Sequence, residues 1–238
     1  MLLSGQVAMV TGAGRGLGRA ISTLFAEEGA RVAVTGRTKE RRDGVVAEVL
    51  ENGGESHAFA LDVTKDEDVE KAVKDILNMW GQIDILVNNA GTVLGGRKPA
   101  WATTVEEWDE MMLVNLRGVF LCCHGVIPHM MERGKGVIIN IGSIAARSAE
   151  GGGLGPYHAS KWGEAGWTAS LANSIRPHGV RVNGINPGWI DTDMARILEP
   201  NPSPEWSTPE EIAGAALYLA TKAPRDMTGQ FIDIFGAK

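Results

Sequence analysis

The feature that most constrains this chain is the alternation of short apolar runs, rich in β-branched residues, with longer segments of helical spacing. Strands separated by amphipathic helices form parallel sheets that are covered on both faces. The pattern therefore predicts an α/β fold: one doubly wound, Rossmann-type domain over residues 1–238 with a seven-stranded parallel sheet. The predicted strands are residues 7–10, 32–35, 57–61, 83–87, 137–141, 180–185 and 230–235. The predicted helices are residues 17–28, 39–50, 66–80, 105–131 with a break near Asn115, 157–175 and 209–219.

Charge and composition narrow the classes of partner. The chain has 23 basic and 29 acidic residues, a formal net charge of −6, so we expect no nucleic-acid partner. Its apolar runs are shorter than the ~18 residues that span a bilayer, and the amino terminus lacks a signal-peptide pattern, so we expect no membrane partner. Cys122 and Cys123 are neighbours, which gives neither a disulfide framework nor a metal-ligand spacing. These observations predict a cytoplasmic protein without a metal site.

A glycine-rich turn, Thr-Gly-Ala-Gly-Arg-Gly-Leu-Gly, follows the first predicted strand at residues 11–18. Such a turn lets the backbone approach a pyrophosphate, and the helix that follows presents N–H groups to it. It matches neither G-x-G-x-x-G nor a Walker loop. A turn without a ligand is the alternative, but the position between the first strand and first helix favours a dinucleotide. The predicted contacts here are Gly12, Arg15, Gly16, Leu17 and Gly18.

The end of the second predicted strand indicates which dinucleotide binds. Sites for NAD usually have an acidic residue there, which accepts bonds from the ribose hydroxyls. Residues 35–38 read Thr-Gly-Arg-Thr, without a carboxylate. Guanidinium groups suit phosphate recognition, so Arg37, aided by Arg15, predicts a preference for NADP(H), with NAD(H) possible. The alternative is that both arginines are merely solvated.

A tyrosine and a lysine four residues apart suggest the chemistry. Tyr157 and Lys161 project from one face of a predicted helix, which brings an ammonium near a phenol. A free phenol has a pKa of ~10, and a nearby cation favours the phenolate. Ser143 follows the fifth predicted strand. Considered separately, Tyr157 and Lys161 can be two exposed side chains on one helix face, and Ser143 can be a cap at the end of a strand.

Together these motifs resemble the short-chain dehydrogenase/reductase family, and within it the members that reduce 3-oxoacyl-(acyl-carrier-protein). The pattern T-G-x-x-x-G-x-G is joined, in the same order along nearly the whole chain, by several shorter motifs. These are Asn-Asn-Ala-Gly at 88–91, Asn115 in Val-Asn-Leu-Arg-Gly, Ser143, Tyr-His-Ala-Ser-Lys at 157–161, Pro-Gly at 187–188 and Met-Thr-Gly-Gln at 227–230.

The resemblance implies catalytic roles. Tyr157 is then the general acid of ketone reduction, and the base of the reverse reaction. Lys161 tunes Tyr157 and bonds the nicotinamide ribose, while Ser143 donates a hydrogen bond to the substrate oxygen. Asn115 holds a water chain that resupplies protons. The spacing from Ser143 to Tyr157 is about one residue longer than is usual in the family, which leaves the shape of that loop open.

The resemblance also implies further cofactor contacts and an oligomer. Asp62 matches the acid that contacts adenine, although an ordinary loop or cap role fits it almost as well, and Thr192 matches a residue near the cofactor amide or phosphates. Residues 190–208 form a short, proline-containing substrate lid next to Trp189. The family usually forms homotetramers through the Tyr157 helix and its predecessor, so we expect a tetramer or dimer. The implied contacts are Asp62, Val63, Asn89, Ala90, Gly91, Tyr157, Lys161, Pro187, Gly188, Ile190 and Thr192.

The sequence thus predicts an NADPH-dependent carbonyl reductase or alcohol dehydrogenase acting on a small carbonyl or alcohol substrate. It leaves open a 3-oxoacyl thioester, a small ketone, and an NAD-dependent reaction on a sugar or polyol. A carrier-protein partner needs a basic patch near the cleft, for which Arg133 and Lys135 are candidates. A non-catalytic, cofactor-sensing regulator on the same fold is the main alternative. An extended-branch epimerase or dehydratase fits the short chain poorly.

Overall fold

The structure, a computed structural model, describes residues 1–149 and 153–236. Its centre is a seven-stranded sheet in which every pair of neighbouring strands is parallel, in the order β3-β2-β1-β4-β5-β6-β7. This confirms the predicted doubly wound α/β fold. The strands are β1 Val7–Val10, β2 Arg31–Gly36, β3 Glu55–Ala60, β4 Ile85–Asn88, β5 Gly136–Ile141, β6 Val180–Pro187 and β7 Phe231–Ile234.

Helices cover both faces of the sheet because neighbouring strand residues point to opposite sides. Val10 of β1 lies in one core with α1, α2 and α8, whereas Met9 lies in a second core with α3, α5 and α6. All four residues of β1 and of β4 are buried, which explains why these strands read as unbroken apolar runs. The helices are α1 Gly16–Glu27, α2 Lys39–Glu51, α3 Asp66–Trp80, α4 Val105–Met112, α5 Gly118–Glu132, α6 Gly155–Ile175, α7 Asp193–Leu198 and α8 Pro209–Thr221.

Three local features differ from the sequence prediction. The expected break near Asn115 is wrong, because one turn of π-helix, Leu113–Arg117, joins α4 to α5 without interruption. Helix α7 lies in a segment predicted only as a lid, and Thr192 caps it by accepting a bond from the Ala195 N–H. Helix α6 begins at Gly155, two residues earlier than predicted.

The joined helix Val105–Glu132 is long and apolar enough to cross a membrane by length and composition alone, which the argument from apolar runs did not anticipate. Half of its apolar window is buried inside the fold. Cys122, Cys123 and Val126 are completely buried and belong to the core that α3, α5 and α6 form with the sheet. A buried core helix meets the same criteria, and its packing here is that of a core helix.

The strand order places the ligand crevice. Chain connections run outward from β1 through β2 to β3 and then return to β4 on the other side of β1. In open parallel sheets, ligands bind outside the carboxyl ends of the strands at this switch point. The glycine turn after β1 and the Asn-Asn-Ala-Gly segment after β4 therefore lie together at that edge.

Candidate active site

Hydrogen bonds from the segment after β4 hold the glycine turn. The Thr11 hydroxyl accepts bonds from the N–H groups of Asn89 and Ala90, each at 3.0 Å. In return, Asn89 Nδ2 donates to the carbonyl oxygens of Thr11 and Gly12, at 2.9 and 3.2 Å. Asn89 and Ala90, predicted as cofactor contacts, thus also fix the shape of the turn.

The glycines leave a cradle that larger residues would fill. A Cβ on Gly18 would lie 2.5 Å from both Asn89 Nδ2 and the Gly12 carbonyl oxygen. Gly12 has φ +63°, and its Cβ would lie 2.9 Å from Ala90 Cα. Helix α1 begins at Gly16, within this glycine-rich segment, and Leu17 in its first turn is buried. Bare backbone facing a helix N-terminus fits the pyrophosphate of a dinucleotide.

Basic residues gather at the end of β2. Arg37 is exposed, and a Cβ on Gly14 of the glycine turn would lie 2.9 Å from Arg41 Cβ. Arg42, on the first turn of α2, donates to the Gly36 carbonyl oxygen. The sequence argument missed Arg41 and Arg42, although the basic run directly after Arg37 was the signal for them.

Arg15 has a partner far away in the sequence. Its guanidinium forms a 2.9 Å ion pair with Asp193 at the start of α7. Both side chains are largely exposed, so solvent weakens this pair. Thr192 lies next to the turn, since a Cβ on Gly16 would lie 3.3 Å from its Cγ2. The structure thus brings Arg15, Gly16 and Thr192 together, and the carboxylate of Asp193 occupies the guanidinium that was predicted to bind a phosphate.

Asp62 lies at the loop after β3, and Val63 beside it is buried. Asp62 Oδ1 accepts bonds from the N–H and hydroxyl of Thr64, at 3.1 and 2.8 Å. Partial burial disfavours the ionised carboxylate, but the Thr64 hydrogen bonds and the charge of Arg37 outweigh it and lower the pKa of Asp62. The ordinary loop role of Asp62 is therefore present in the structure, and its contact with adenine stays a prediction.

Lys161 is buried at the base of the site with two acceptors. Its Nζ donates to the Ile141 carbonyl oxygen at 2.8 Å and to Glu164 Oε2 at 2.7 Å. Burial disfavours the ammonium, but the charge and hydrogen bond of Glu164, together with the nearby Tyr157 hydroxyl, outweigh it and raise the pKa of Lys161. The sequence argument missed Glu164, because a glutamate on a helix is usually solvated.

Ser143 lies two residues after the end of β5, at the carboxyl edge of the sheet, and caps a short turn. Its Oγ accepts a bond from the Ala145 N–H at 3.1 Å, and its own N–H donates to Asn186 Oδ1 at 3.2 Å. The cap role considered for Ser143 is thus observed. It leaves the hydroxyl proton available to a substrate, because a hydroxyl accepts and donates at once.

Asn115 lies in the π-helical turn and is fully buried. Its Oδ1 accepts from the Thr92 N–H at 2.8 Å. Its Nδ2 donates to the Thr92 carbonyl oxygen and to Ser160 Oγ, at 2.9 and 3.1 Å. The side chain ties the segment that contains Gly91 to α6, one residue before Lys161. Its predicted role in a water chain stays a prediction.

The end of β6 leads into the predicted lid. Pro187 is the last residue of β6, and the Gly188 N–H donates to the Ile234 carbonyl oxygen at 2.7 Å. A Cβ on Gly188 would lie 3.0 Å from the Phe235 carbonyl oxygen, so the close approach favours glycine. Ile190 then pairs with Ser207 in an isolated bridge that draws the two ends of the segment together.

Two tryptophans stack across that bridge. The rings of Trp189 and Trp206 lie 4.9 Å apart and nearly parallel, at 13°. The Arg97 guanidinium lies 5.7 Å from the centre of the Trp189 ring, within the range of a cation–π contact. The stack makes an aromatic wall at the two ends of the predicted lid.

A small cavity opens beside Tyr157. Its volume is about 10 Å3, roughly the room for one water molecule. The ion pair between Lys98 and Glu107 closes one side, and Gly153 another. The cavity is lined by Leu94, Gly96, Lys98, Thr103, Glu107, Met111, Gly153, Leu154, Pro156 and Tyr157.

The candidate patch for a carrier protein lies elsewhere. Arg133 and Lys135 pair with Asp84, at 2.9 and 3.5 Å. Asp84 immediately precedes β4, so both cations lie at the amino edge of the sheet, opposite Ser143 and Tyr157. The suggestion that these two residues dock a carrier protein near the cleft is therefore wrong.

Metal and thiol chemistry find no suitable group among the described residues. Within residues 1–149 and 153–236, no cluster of three histidine, cysteine or acidic side chains is arranged to hold a metal ion. Cys122 and Cys123 are fully buried, and burial raises the pKa of the Cys123 thiol to about 12, which makes it unreactive at neutral pH.

A dinucleotide cradle beside Tyr157, Lys161 and Ser143, at the carboxyl edge of a doubly wound sheet, defines the class of nicotinamide-dependent oxidoreductases. Residues 6–202 match the short chain dehydrogenase family. The chain belongs to this family of enzymes, and the resemblance drawn from its motifs is confirmed.

Relatives and solved structures agree with this assignment. A 3-oxoacyl-[acyl-carrier-protein] reductase of Synechocystis sp. is 38% identical, covering 98% of this chain and 97% of the relative. A Beutenbergia cavernae protein described as an NAD(P)-dependent gluconate 5-dehydrogenase, with NADP bound at low occupancy, is 32% identical with a TM-score of 0.91, covering 98% and 96%. A metagenomic short-chain oxidoreductase in complex with NADP is 33% identical with a TM-score of 0.85, covering 100% of both chains.

Proposed function

We propose that this protein is an NADPH-dependent reductase that converts a ketone or 3-oxoacyl group into a secondary alcohol. The observation that carries the proposal is the convergence of Ser143, Tyr157 and Lys161 on the sheet edge where the glycine turn lies. A cofactor-sensing regulator needs the turn, but it has no use for a proton donor held beside a buried lysine.

The side chains divide the work on the substrate. Tyr157 donates its phenolic proton to the carbonyl oxygen, and the Lys161 ammonium stabilises the phenolate that remains. Ser143 donates its hydroxyl proton in a hydrogen bond to the same oxygen as negative charge develops there. The bound nicotinamide supplies the hydride.

A preference for NADPH follows from the charges around β2. Arg41 borders the turn, Arg37 directly follows β2, and residues 35–38 contain no carboxylate that would repel a 2′-phosphate. One charge-assisted contact of roughly 1.5–3 kcal/mol corresponds to about a ten- to hundredfold preference. Two solved relatives contain NADP, which supports this choice.

Two substrate classes have support. The Synechocystis relative is a 3-oxoacyl-[acyl-carrier-protein] reductase, which favours a 3-oxoacyl thioester. The stack of Trp189 on Trp206 beside the predicted lid favours a compact ketone or sugar acid instead. A gluconate 5-dehydrogenase among the solved relatives points the same way. We place the thioester first and the sugar acid or polyol second.

A second copy of the chain is the proposed protein partner. A broad groove of about 850 Å3 runs between the joined α4–α5 helix and α6, and its lining is mainly apolar. Phe120 at its side is 40% exposed, and a Cβ on Gly166 would meet no atom within 4 Å, which leaves room for close approach of another helix. Contiguous apolar surface next to polar residues is typical of interaction sites, which supports this partner.

Turnover assays with both coenzymes test the proposal. The purified protein is mixed with NADPH or NADH and, in turn, a 3-oxoacyl thioester, small ketones and oxidised sugar acids. We expect oxidation of NADPH with at least one of these carbonyl compounds. Tight binding of NADPH without turnover of any of them would favour the regulator instead.

A further inference from the structure

A buried carboxylate contacts the lysine of the site from the same helix. Glu164, one turn after Lys161 on α6, has no exposed surface, and its Oε2 lies 2.7 Å from Lys161 Nζ. The other carboxylate oxygen, Oε1, is buried without a hydrogen-bond partner among the described residues. A carboxylate is costly to bury, so one with a single partner at a reaction centre calls for a functional explanation.

The lysine has few donors to spare. An ammonium has three N–H bonds. Two of those of Lys161 point to the Ile141 carbonyl and to Glu164, which fixes the orientation of the third. Since Glu164 and Ile141 hold the ammonium from within the fold, the remaining N–H is left for Tyr157 and the cofactor ribose.

The surroundings of Glu164 contain little other charge. Tyr157 and Lys161 share its helix, and Cys123 on α5 is the titratable group on which its charge acts from a neighbouring helix. The polar side chains nearby on β5 and α6 are neutral: Asn140 donates to the Thr168 hydroxyl, which donates to the Glu164 carbonyl oxygen. Burial raises the pKa of Glu164, and the charge of Lys161 opposes that rise.

We propose that Glu164 is a positioning residue: its buried carboxylate is the counter-ion that keeps Lys161 charged and aimed at the site before the cofactor binds. The proposal rests on the proposed function, in which Lys161 supports Tyr157. Without the carboxylate, a buried lysine tends to lose its proton, because burial then acts unopposed. Loss of the ammonium removes the charge that favours the phenolate.

The first test uses the unfolding temperature of the ligand-free protein and needs no turnover. In wild type the folded-state pKa of Lys161 is raised, so wherever Glu164 is ionised Lys161 contributes stability that is fully present below the unfolded lysine value of about 10.4. In Glu164→Gln the folded-state pKa of Lys161 falls below that value, so the contribution of Lys161 to stability is lowest while the lysine is still protonated and recovers as the pH rises toward about 10.4. The difference in unfolding temperature between wild type and Glu164→Gln should therefore become smaller as the pH rises from about 7 to about 10.

Two further variants keep the stability test decisive. Thr168→Val, one turn after Glu164 on α6, removes a buried hydroxyl that does not titrate. Its unfolding temperature should differ from that of wild type by an amount that does not depend on pH. If Glu164→Gln does not fold, Lys161→Met combined with Glu164→Gln should fold, because the lone buried charge is gone. A failure of the double variant to fold, or a gap for Glu164→Gln that is flat with pH, would overturn the proposal.

The second test measures alcohol oxidation by wild type, Glu164→Gln and Thr168→Val as a function of pH. We expect the acid limb of the Glu164→Gln profile to move by roughly one unit to higher pH, because a neutral lysine favours the phenolate less. The Thr168→Val profile should match that of wild type. An unmoved limb, or one moved to lower pH, would contradict the counter-ion role. An inactive wild type with a pH-dependent stability gap would refute the proposed function and leave the counter-ion in place.

Discussion

Several side chains of this site serve the fold and the proposed reaction together. The Thr11 hydroxyl and the Asn89 amide shape the glycine turn, and they also lie where a dinucleotide would bind. Ser143 caps a turn with its oxygen while its proton stays available. Because such residues carry both roles, their replacement disturbs structure and activity at once. Residues with few structural contacts, such as Arg37, separate the two effects more cleanly.

Coenzyme choice is the first prediction at the residue scale. The double variant Gly36→Asp with Arg37→Ile should prefer NADH, because it supplies a carboxylate for the ribose and removes a phosphate partner. The space is available: a Cβ on Gly36 meets only Arg42 Cγ, at 3.9 Å. The measurement is kcat/KM for each coenzyme with one carbonyl substrate.

Salt provides the control for this prediction. The preference of the wild type for NADPH should weaken at high ionic strength, since Arg37 is exposed and its charge is screened. The double variant should lose that salt dependence. Equal or better efficiency of wild type with NADH would show that these arginines are only solvated.

The elements of the sheet follow directly from the sequence, whereas their junctions do not. Val7–Val10 and Ile85–Asn88 are predictable because completely buried strands read as unbroken apolar runs. The π-helical turn at Asn115 escapes prediction, because its cause is a set of bonds to Thr92 and Ser160 from other parts of the chain.

The candidate site likewise contains features that local sequence patterns predict and features that depend on contacts between distant residues. The spacing of Tyr157 and Lys161 and the glycine turn are local patterns that predict where chemistry would occur. The ion pair of Arg15 with Asp193 joins residues 178 positions apart, so no local pattern can show it. Glu164 lies only three residues after Lys161 in the sequence, but its burial depends on the packing of α6 against the sheet.

The start of α1 gives a prediction at the scale of the element. Gly18→Ala should reduce the affinity for NADPH by tenfold or more, on the order of one lost hydrogen-bonded contact, and should lower the unfolding temperature. The added methyl would lie 2.5 Å from the Gly12 carbonyl oxygen and from Asn89 Nδ2. Coenzyme binding by fluorescence and thermal unfolding measure the two effects.

Gly44→Ala is the matched control. Gly44 lies inside α2, and its Cβ would meet no atom within 4 Å. Alanine there should stabilise the protein by about 0.5–1 kcal/mol through helix propensity and leave coenzyme affinity unchanged. Similar behaviour of the two alanine variants would mean that the glycine turn is not a tight cradle.

At the scale of the whole molecule, the apolar groove along α6 is the surface that the monomer leaves uncovered. Gly166→Arg should convert a dimer or tetramer into a smaller species, because the new side chain projects into the groove. Gly166, like Gly44, has open space around its Cβ, so the monomer should still fold. Sedimentation of wild type, Gly166→Arg and Gly44→Arg measures the change.

Gly44→Arg should keep the oligomeric state of wild type, since α2 lies on the opposite face of the sheet from α6. A wild type that sediments as a monomer at micromolar concentration would refute the proposed second copy. Trp167, packed at the edge of the α5–α6 core, would then have a purely internal role.

The central claim is that this chain reduces a carbonyl group with Tyr157 as the acid. The most direct measurement compares wild type with Tyr157→Phe, following both NADPH consumed and alcohol formed. In wild type the two should be equal in amount, whereas the variant should lose a factor of about 10²–10⁴ in kcat and keep its affinity for NADPH within a few fold. A variant that keeps half of the wild-type activity, or a wild type that binds NADPH and forms no alcohol, would contradict the account.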